Sequence, residues 1–181
     1  MMSMHGEVID ASTVRFERLL PGPIERVWSF LVEADKRAKW LCGGETELAI
    51  GGNVDMLFNN ASLSSRTDIE RPEKYKDMPD CVSFSGSVTR CEPPHVLAHT
   101  WVFESEKSEV CYELTPVEDK VRLVLTHTRL ENAEMMLSVC GGWHAHLDIL
   151  IDVLDGIEPQ PFWKIHTQLE AEYDSIIKPA V

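Results

Sequence analysis

Along the first third of the chain the spacing of hydrophobic positions changes twice, and each change marks an element. TVRFERLL at 13–20 alternates well enough for a half-buried strand, and PGP at 21–23 ends it. In PIERVWSFLVEADKRAKWL the residues Ile24, Val27, Trp28, Leu31 and Val32 recur at helical spacing, and a second short turn carries Ala38, Trp40 and Leu41. ETELAI, the Gly51-Gly52 pair and NVDMLFNN then read as a hairpin, with Val54, Met56 and Phe58 on one face by the period of two.

From Asn59 to Asp80 the composition turns polar and is broken by two prolines, which predicts an exposed excursion too short to hold a core of its own. Alternation resumes in CVSFSGSVTRCEPPHVLAHTWVF, SEVCYELTP and KVRLVLTHTRL, an antiparallel meander. Its inward faces carry Phe84, Gly86 and Val88, then Leu97, His99, Trp101 and Phe103, then Val110, Tyr112 and Leu114, then Leu123, Leu125 and His127. After Leu130 the period becomes helical: Trp143, Leu147, Leu150, Ile151 and Leu154 form one stripe, ended by Gly156 and Pro159. A further helix at about 159–178 carries Phe162, Ile165, Leu169, Tyr173 and Ile176.

Strands and helices are thus segregated in the α+β manner. The expected architecture is a curved antiparallel sheet of six to seven strands wrapped around a long C-terminal helix, with an extra C-terminal helix behind. Because a twisted sheet and a straight helix cannot touch along their whole length, an apolar gap is expected between them. At 181 residues the chain fits one domain, its core at about 13–156.

Composition narrows the partners. A formal net charge of -13 would repel a nucleic-acid backbone or an anionic membrane surface. Five widely spaced cysteines without a C-x-x-C pair argue against a disulfide framework and a zinc knuckle. MMSMHGEVIDAS lacks a basic region followed by an apolar stretch, so a cytoplasmic protein is expected.

Four stretches carry a family likeness: PIERVWSFLVEADKRAKW, CEPPHVLAHTW, VRLVLTHTRL and GGWHAHLDIL. With them the chain resembles the AHSA-like branch, named for the activator of the ninety-kilodalton heat-shock protein ATPase, of the START-like or SRPBCC helix-grip superfamily. The resemblance implies a helix-grip (Bet v-like) fold with a hydrophobic cavity between sheet and long helix, and no one established reaction. The excursion at 59–81 exceeds the short hairpin typical of the branch, so the pocket mouth is expected to be covered differently. The chaperone activator also carries a separate N-terminal domain that this sequence lacks, which weakens a co-chaperone or stress-response role.

The candidate chemistry is sparse. His144 and His146 sit roughly 200° apart on a helix and cannot chelate together; His144 and Asp148 at i and i+4 lack a third ligand. They read as a solvated flank or a His-Asp hydrogen bond, and no metal or cofactor site is expected. Cys140 near His144 reads as a small core residue rather than a catalytic thiol. The expected ligand-binding residues are Trp40, Phe58, Phe84, His99, Trp101, Tyr112, His127, Trp143 and Leu147. The leading expectation is non-catalytic binding of a small hydrophobic or amphipathic molecule. The alternative is an enzyme of cyclase or hydrolase type using His99, Tyr112 or His127 as acid-base groups. The last helix packs on its own chain or pairs two chains as a homodimer.

Overall fold

The computed structural model describes residues 4–66, 71–103 and 106–178. Seven strands, β1 (Glu7–Asp10), β2 (Thr13–Pro21), β3 (Asn53–Phe58), β4 (Val82–Glu92), β5 (Val96–Phe103), β6 (Glu106–Val117) and β7 (Lys120–Thr128), form one antiparallel sheet in the order β1-β2-β7-β6-β5-β4-β3. Helices α1 (Ile24–Val32) and α2 (Ala34–Arg37) carry the chain from β2 to the far edge, α3 (Ala133–Asp155) packs on the sheet, and α4 (Phe162–Ile177) packs on α3.

Alternation places the core. In β7 the odd positions Val121, Leu123, Leu125 and His127 are buried. Register then lines up Val14, His127, Val110, His99 and Val88 as one row across five strands, all nearly inaccessible to solvent. The two inward histidines of the meander therefore share a row, with Val110 between them.

α3 begins where the Asn132 side chain accepts a 2.8 Å hydrogen bond from the Met135 amide, and it ends at Gly156 with φ 72°, a left-handed cap that glycine adopts without steric cost. The single stripe read from its sequence underestimates its burial. His144, Ala145, His146 and Ile149 are buried as well, because α4 covers the side that the sheet leaves open. His144 and His146 are thus no solvated flank: they are 4% and 5% exposed. On α4 itself the buried positions are Phe162, Trp163, His166, Leu169, Tyr173 and Ile177, while Ile176 points outward. That face is satisfied within the chain.

ETELAI does not form a strand. Only isolated bridges link Gly43 to Leu57 and Thr46 to Val54, and Ile50 is 78% exposed. The loop is instead gathered by the buried Arg37 guanidinium, which donates to the carbonyls of Cys42, Gly43, Gly44 and Asp55 and to the Thr46 hydroxyl. A cation with several fixed acceptors holds a loop as firmly as a ladder does, without needing a period of two. β1, by contrast, shows no alternation of burial, being a short edge strand whose residues are mostly exposed.

Gly86 shows how tight the sheet is. A Cβ there would stand 1.8 Å from the Thr100 carbonyl oxygen, a backbone atom that cannot step aside. Gly86→Ala is expected to cost about 3 kcal/mol or more by forcing β4 from β5, as equilibrium denaturation would show. A cost below about 1 kcal/mol would mean that the two strands separate easily.

No helix among the described residues is long and apolar enough to cross a membrane. All five cysteines are free thiols.

Candidate functional site: a cavity between sheet, long helix and excursion

A cavity of about 470 Å³ opens where the sheet curves away from the N-terminal half of α3. Phe58, Val82, Phe84, Trp101 and His127 line it from the sheet, and Met135, Val139, Gly142, Trp143 and His146 from α3. Phe162, Trp163 and His166 close it from α4.

The polar excursion is its roof. Tyr75, Met78 and Pro79 line the cavity, with Arg71 and Asp80 paired at its rim. The roof is tied down at two places. The Ser64 hydroxyl donates to the Pro159 carbonyl at 2.8 Å and the Ser65 amide to Glu158 at 2.7 Å. Further along, Tyr75 donates its phenol proton to Glu170 at 2.6 Å, Lys74 pairs with the same carboxylate, and the Tyr75 ring lies on Trp163 with centroids 5.1 Å apart. Burial, with the Glu170 carboxylate beside it, pushes the Tyr75 phenol up to about 12. Residues 67–70 of the excursion lie outside the described residues.

Of the nine residues expected from the sequence, Phe58, Phe84, Trp101, His127 and Trp143 come together on the cavity wall. Trp40, His99, Tyr112 and Leu147 do not. Trp40 is fully buried beneath the wall, its indole N–H donating to the Phe30 carbonyl at 2.7 Å. His99 lies behind Trp101 with its ring parallel to the indole, and its Nδ1 donates to the Thr100 carbonyl. Tyr112 sits edge-on to Trp143, and Leu147 is fully buried in the core. The lining residues beyond those nine include the α4 group, the roof, Val82, Met135, Val139, Gly142 and His146. Helical spacing identifies inward positions on an isolated helix and cannot say that a second helix will turn the opposite side inward too.

The buried imidazoles at and behind the wall are neutral. Desolvation pushes His99 down to about 4, His127 to about 3 and His146 to about 4, so all three are uncharged imidazoles at neutral pH. His127 is fully occupied. The Trp143 indole N–H donates to its Nδ1 at 2.9 Å, which leaves the proton on Nε2, 2.7 Å from the Ser108 hydroxyl. With both nitrogens taken it shows the cavity a ring face and no free lone pair. Neither His99 nor Tyr112 lines the cavity, so of the three acid-base candidates on the meander only His127 borders it.

The two adjacent glycines of α3 have different roles. A Cβ on Gly141 would meet the His166 ring at 3.4 Å, so this glycine lets α4 approach. A Cβ on Gly142 would meet nothing within 4 Å, and Gly142 lines the cavity. A glycine inside a helix costs about 1 kcal/mol relative to alanine, and here its absent side chain leaves space. Among the described residues no group of three or more His, Cys, Asp or Glu is placed to hold a metal ion.

A curved antiparallel sheet gripping a long helix over an apolar cavity defines the class, a helix-grip protein of the START-like or SRPBCC superfamily. Residues 21–155 match the family of activator of Hsp90 ATPase homolog 1-like proteins, and the chain belongs to it. The protein encoded by gene BPP1335 of Bordetella parapertussis is similar in sequence and structure, with 47% identity, 94% of this chain and 88% of its own covered, and a TM-score of 0.78. CalU16 of Micromonospora echinospora shares the fold at 23% identity and a TM-score of 0.67, covering 96% of this chain and 94% of its own. DynU16, from the dynemicin biosynthetic locus, does so at 16% identity and a TM-score of 0.65, covering 83% and 49%. No sequence among curated proteins matches the chain.

Proposed function

We propose that the protein encloses one small, largely apolar molecule in the cavity between sheet and α3, without chemistry of its own. The observation that carries this reading is an aromatic-walled cavity of about 470 Å³ whose imidazoles are neutral. That volume lies within the usual range for small-molecule sites, and apolar walls with few polar groups are their usual composition. DynU16 comes from a biosynthetic locus, a setting in which small molecules are handled, and at 16% identity it lends the fold and no ligand. The co-chaperone alternative rests on the family's name.

Gly142 supplies the test. Gly142→Leu directs a side chain into the space where an added Cβ meets nothing within 4 Å. It is expected to raise stability by about 1 kcal/mol, or about 2–4 °C in melting temperature, through helix propensity. In a thermal-shift panel of hydrophobic dyes, lipids and aromatic compounds, the wild-type protein is expected to show at least one saturable upward shift that Gly142→Leu abolishes. Equal shifts in both proteins, or none in the wild type, would remove the proposal.

A further inference from the structure

We infer that residues 71–80 form a cover that lifts as one body from α4, and that the bound molecule enters and leaves beneath it. One carboxylate, that of Glu170, holds the cover shut. The inference rests on the binding role proposed above and adds the route into the cavity.

The segment is bonded mainly to itself. The Arg71 guanidinium donates to the Met78 carbonyl and pairs with Asp80, which draws the two ends together. The backbone hydrogen bonds within it, from Tyr75 to Pro72, from Lys76 to Glu73 and from Met78 to Tyr75, are all local. Among the described residues, the hydrogen bonds that tie it to the rest of the protein run from Lys74 and Tyr75 to Glu170. Ring contacts add to these: Tyr75 lies on Trp163 and edge-on to His166 at 5.5 Å, and the Arg71 guanidinium stands 5.5 Å from the Trp163 ring. The sheet, by contrast, is one continuous ladder, and α3 packs on both the sheet and α4.

What lies under the cover is unsatisfied. Trp163 Nε1, His166 Nδ1 and Asn60 Oδ1 are buried atoms with no hydrogen-bond partner among the described residues, and all three side chains line the cavity. Trp163 and His166 sit where Tyr75 covers α4, and Asn60 begins the short 3-10 turn Asn60–Leu63, which packs on α4. His166 Nδ1 stands 3.6 Å from Glu170, beyond hydrogen-bond reach of a carboxylate that already serves Tyr75 and Lys74. Elsewhere the indoles are bonded, Trp143 to His127 and Trp40 to the Phe30 carbonyl. A buried polar atom without a partner keeps its desolvation cost, so closure is penalised along this seam. Lifting the cover admits water to the α4 end of the cavity and frees Glu170 to accept from His166 Nδ1, which offsets the hydrogen bonds given up. The cavity opens here at lower cost than through the sheet or α3.

The experiment removes the latch with Lys74→Ala/Tyr75→Phe, which keeps the aromatic ring on Trp163, and from the other side with Glu170→Ala. Exchange of the indole hydrogens with deuterated solvent is followed by NMR, without any ligand. In both variants the Trp163 indole is expected to exchange about 10-fold faster, the effect of one or two lost hydrogen bonds on a local opening, while Trp40 and Trp143 keep their wild-type rates. Stopped-flow mixing with the neutral dye N-phenyl-1-naphthylamine is expected to show association and dissociation both accelerated, since a cover gates both directions.

An unchanged Trp163 rate, or equal acceleration of all three indoles, overturns the cover and leaves the cavity reading standing. Faster dissociation with unchanged association also overturns it, because the substituted side chains would then be ligand contacts and no latch. No binding of the dye to the wild type counts against the binding role and takes the entry route with it. Either variant decides the matter should the other fail to fold.

Discussion

Lowering the pH from 7 to 5 is expected to strip the protein of much of its folding stability, as read by denaturant unfolding at fixed pH. His99, His127 and His146 have folded pKa values near 4, 3 and 4, below the unfolded value of about 6.5. Above pH ~6.5 both states are neutral at these sites and pH has no lever. Below it the unfolded chain takes up protons that the folded chain refuses, so stability falls with pH until the folded values are reached. At pH 5 each fully buried imidazole contributes a loss of about 2 kcal/mol, and three together approach the whole stability of an ordinary domain. Asp148 works in the opposite direction. Its folded pKa is raised to about 6 by burial, so the folded state gains from protonating it as the pH falls, while His144, pushed down to about 4 by burial, adds to the loss. A stability constant to within about 1 kcal/mol between pH 7 and pH 5 would show that these histidines are hydrated.

Trp143→Ala is expected to cost about 3–5 kcal/mol, the range for removing a large buried aromatic side chain. The ring is 4% exposed and packs edge-on to Trp101 at 5.5 Å and Tyr112 at 5.9 Å, so most of it faces core although one side looks into the cavity. The substitution also strands a buried acceptor. His127 Nδ1 loses the indole N–H that sits 2.9 Å away. Trp143→Phe separates the two contributions: it keeps an aromatic ring and loses the donor, with an expected cost of about 1–3 kcal/mol. Denaturant midpoints of the two variants measure both. A cost below about 1 kcal/mol for Trp143→Ala would show that the ring mainly faces open space.

The fold was legible where burial is one-sided. β7 buries alternate residues, and its inward face can be read directly from KVRLVLTHT. The same holds for β3, where Val54, Met56 and Phe58 are buried and their neighbours exposed. Legibility failed at ETELAI, where side-chain alternation mimics a strand but the Arg37 guanidinium takes the backbone carbonyls around it. It also failed on α3, where two surfaces are buried for different reasons and no single stripe describes the helix.

The candidate site was half legible for a related reason. Phe58, Phe84, Trp101, His127 and Trp143 face inward on single elements, and the period of each element is enough to say so. Trp40, His99, Tyr112 and Leu147 face inward equally well, but other side chains stand between them and the cavity. Inward and cavity-lining are different properties, and only the second depends on the neighbours. A separation of about 200° between His144 and His146 excludes joint chelation and holds on the folded helix. It places His144 beside Tyr173, at 2.9 Å, and His146 on the cavity wall.

The sequence by itself determined the α+β class and the inward faces of β3 to β7, because those follow from local periods of two and 3.6 residues, and its four quoted stretches carried the family likeness. Only the tertiary structure decided that α4 folds back over α3, that the polar excursion becomes a roof, and that Gly142 borders open space while Gly141 borders His166. A cavity is set by what remains unfilled when distant segments meet, and no local pattern in the chain records an unfilled volume.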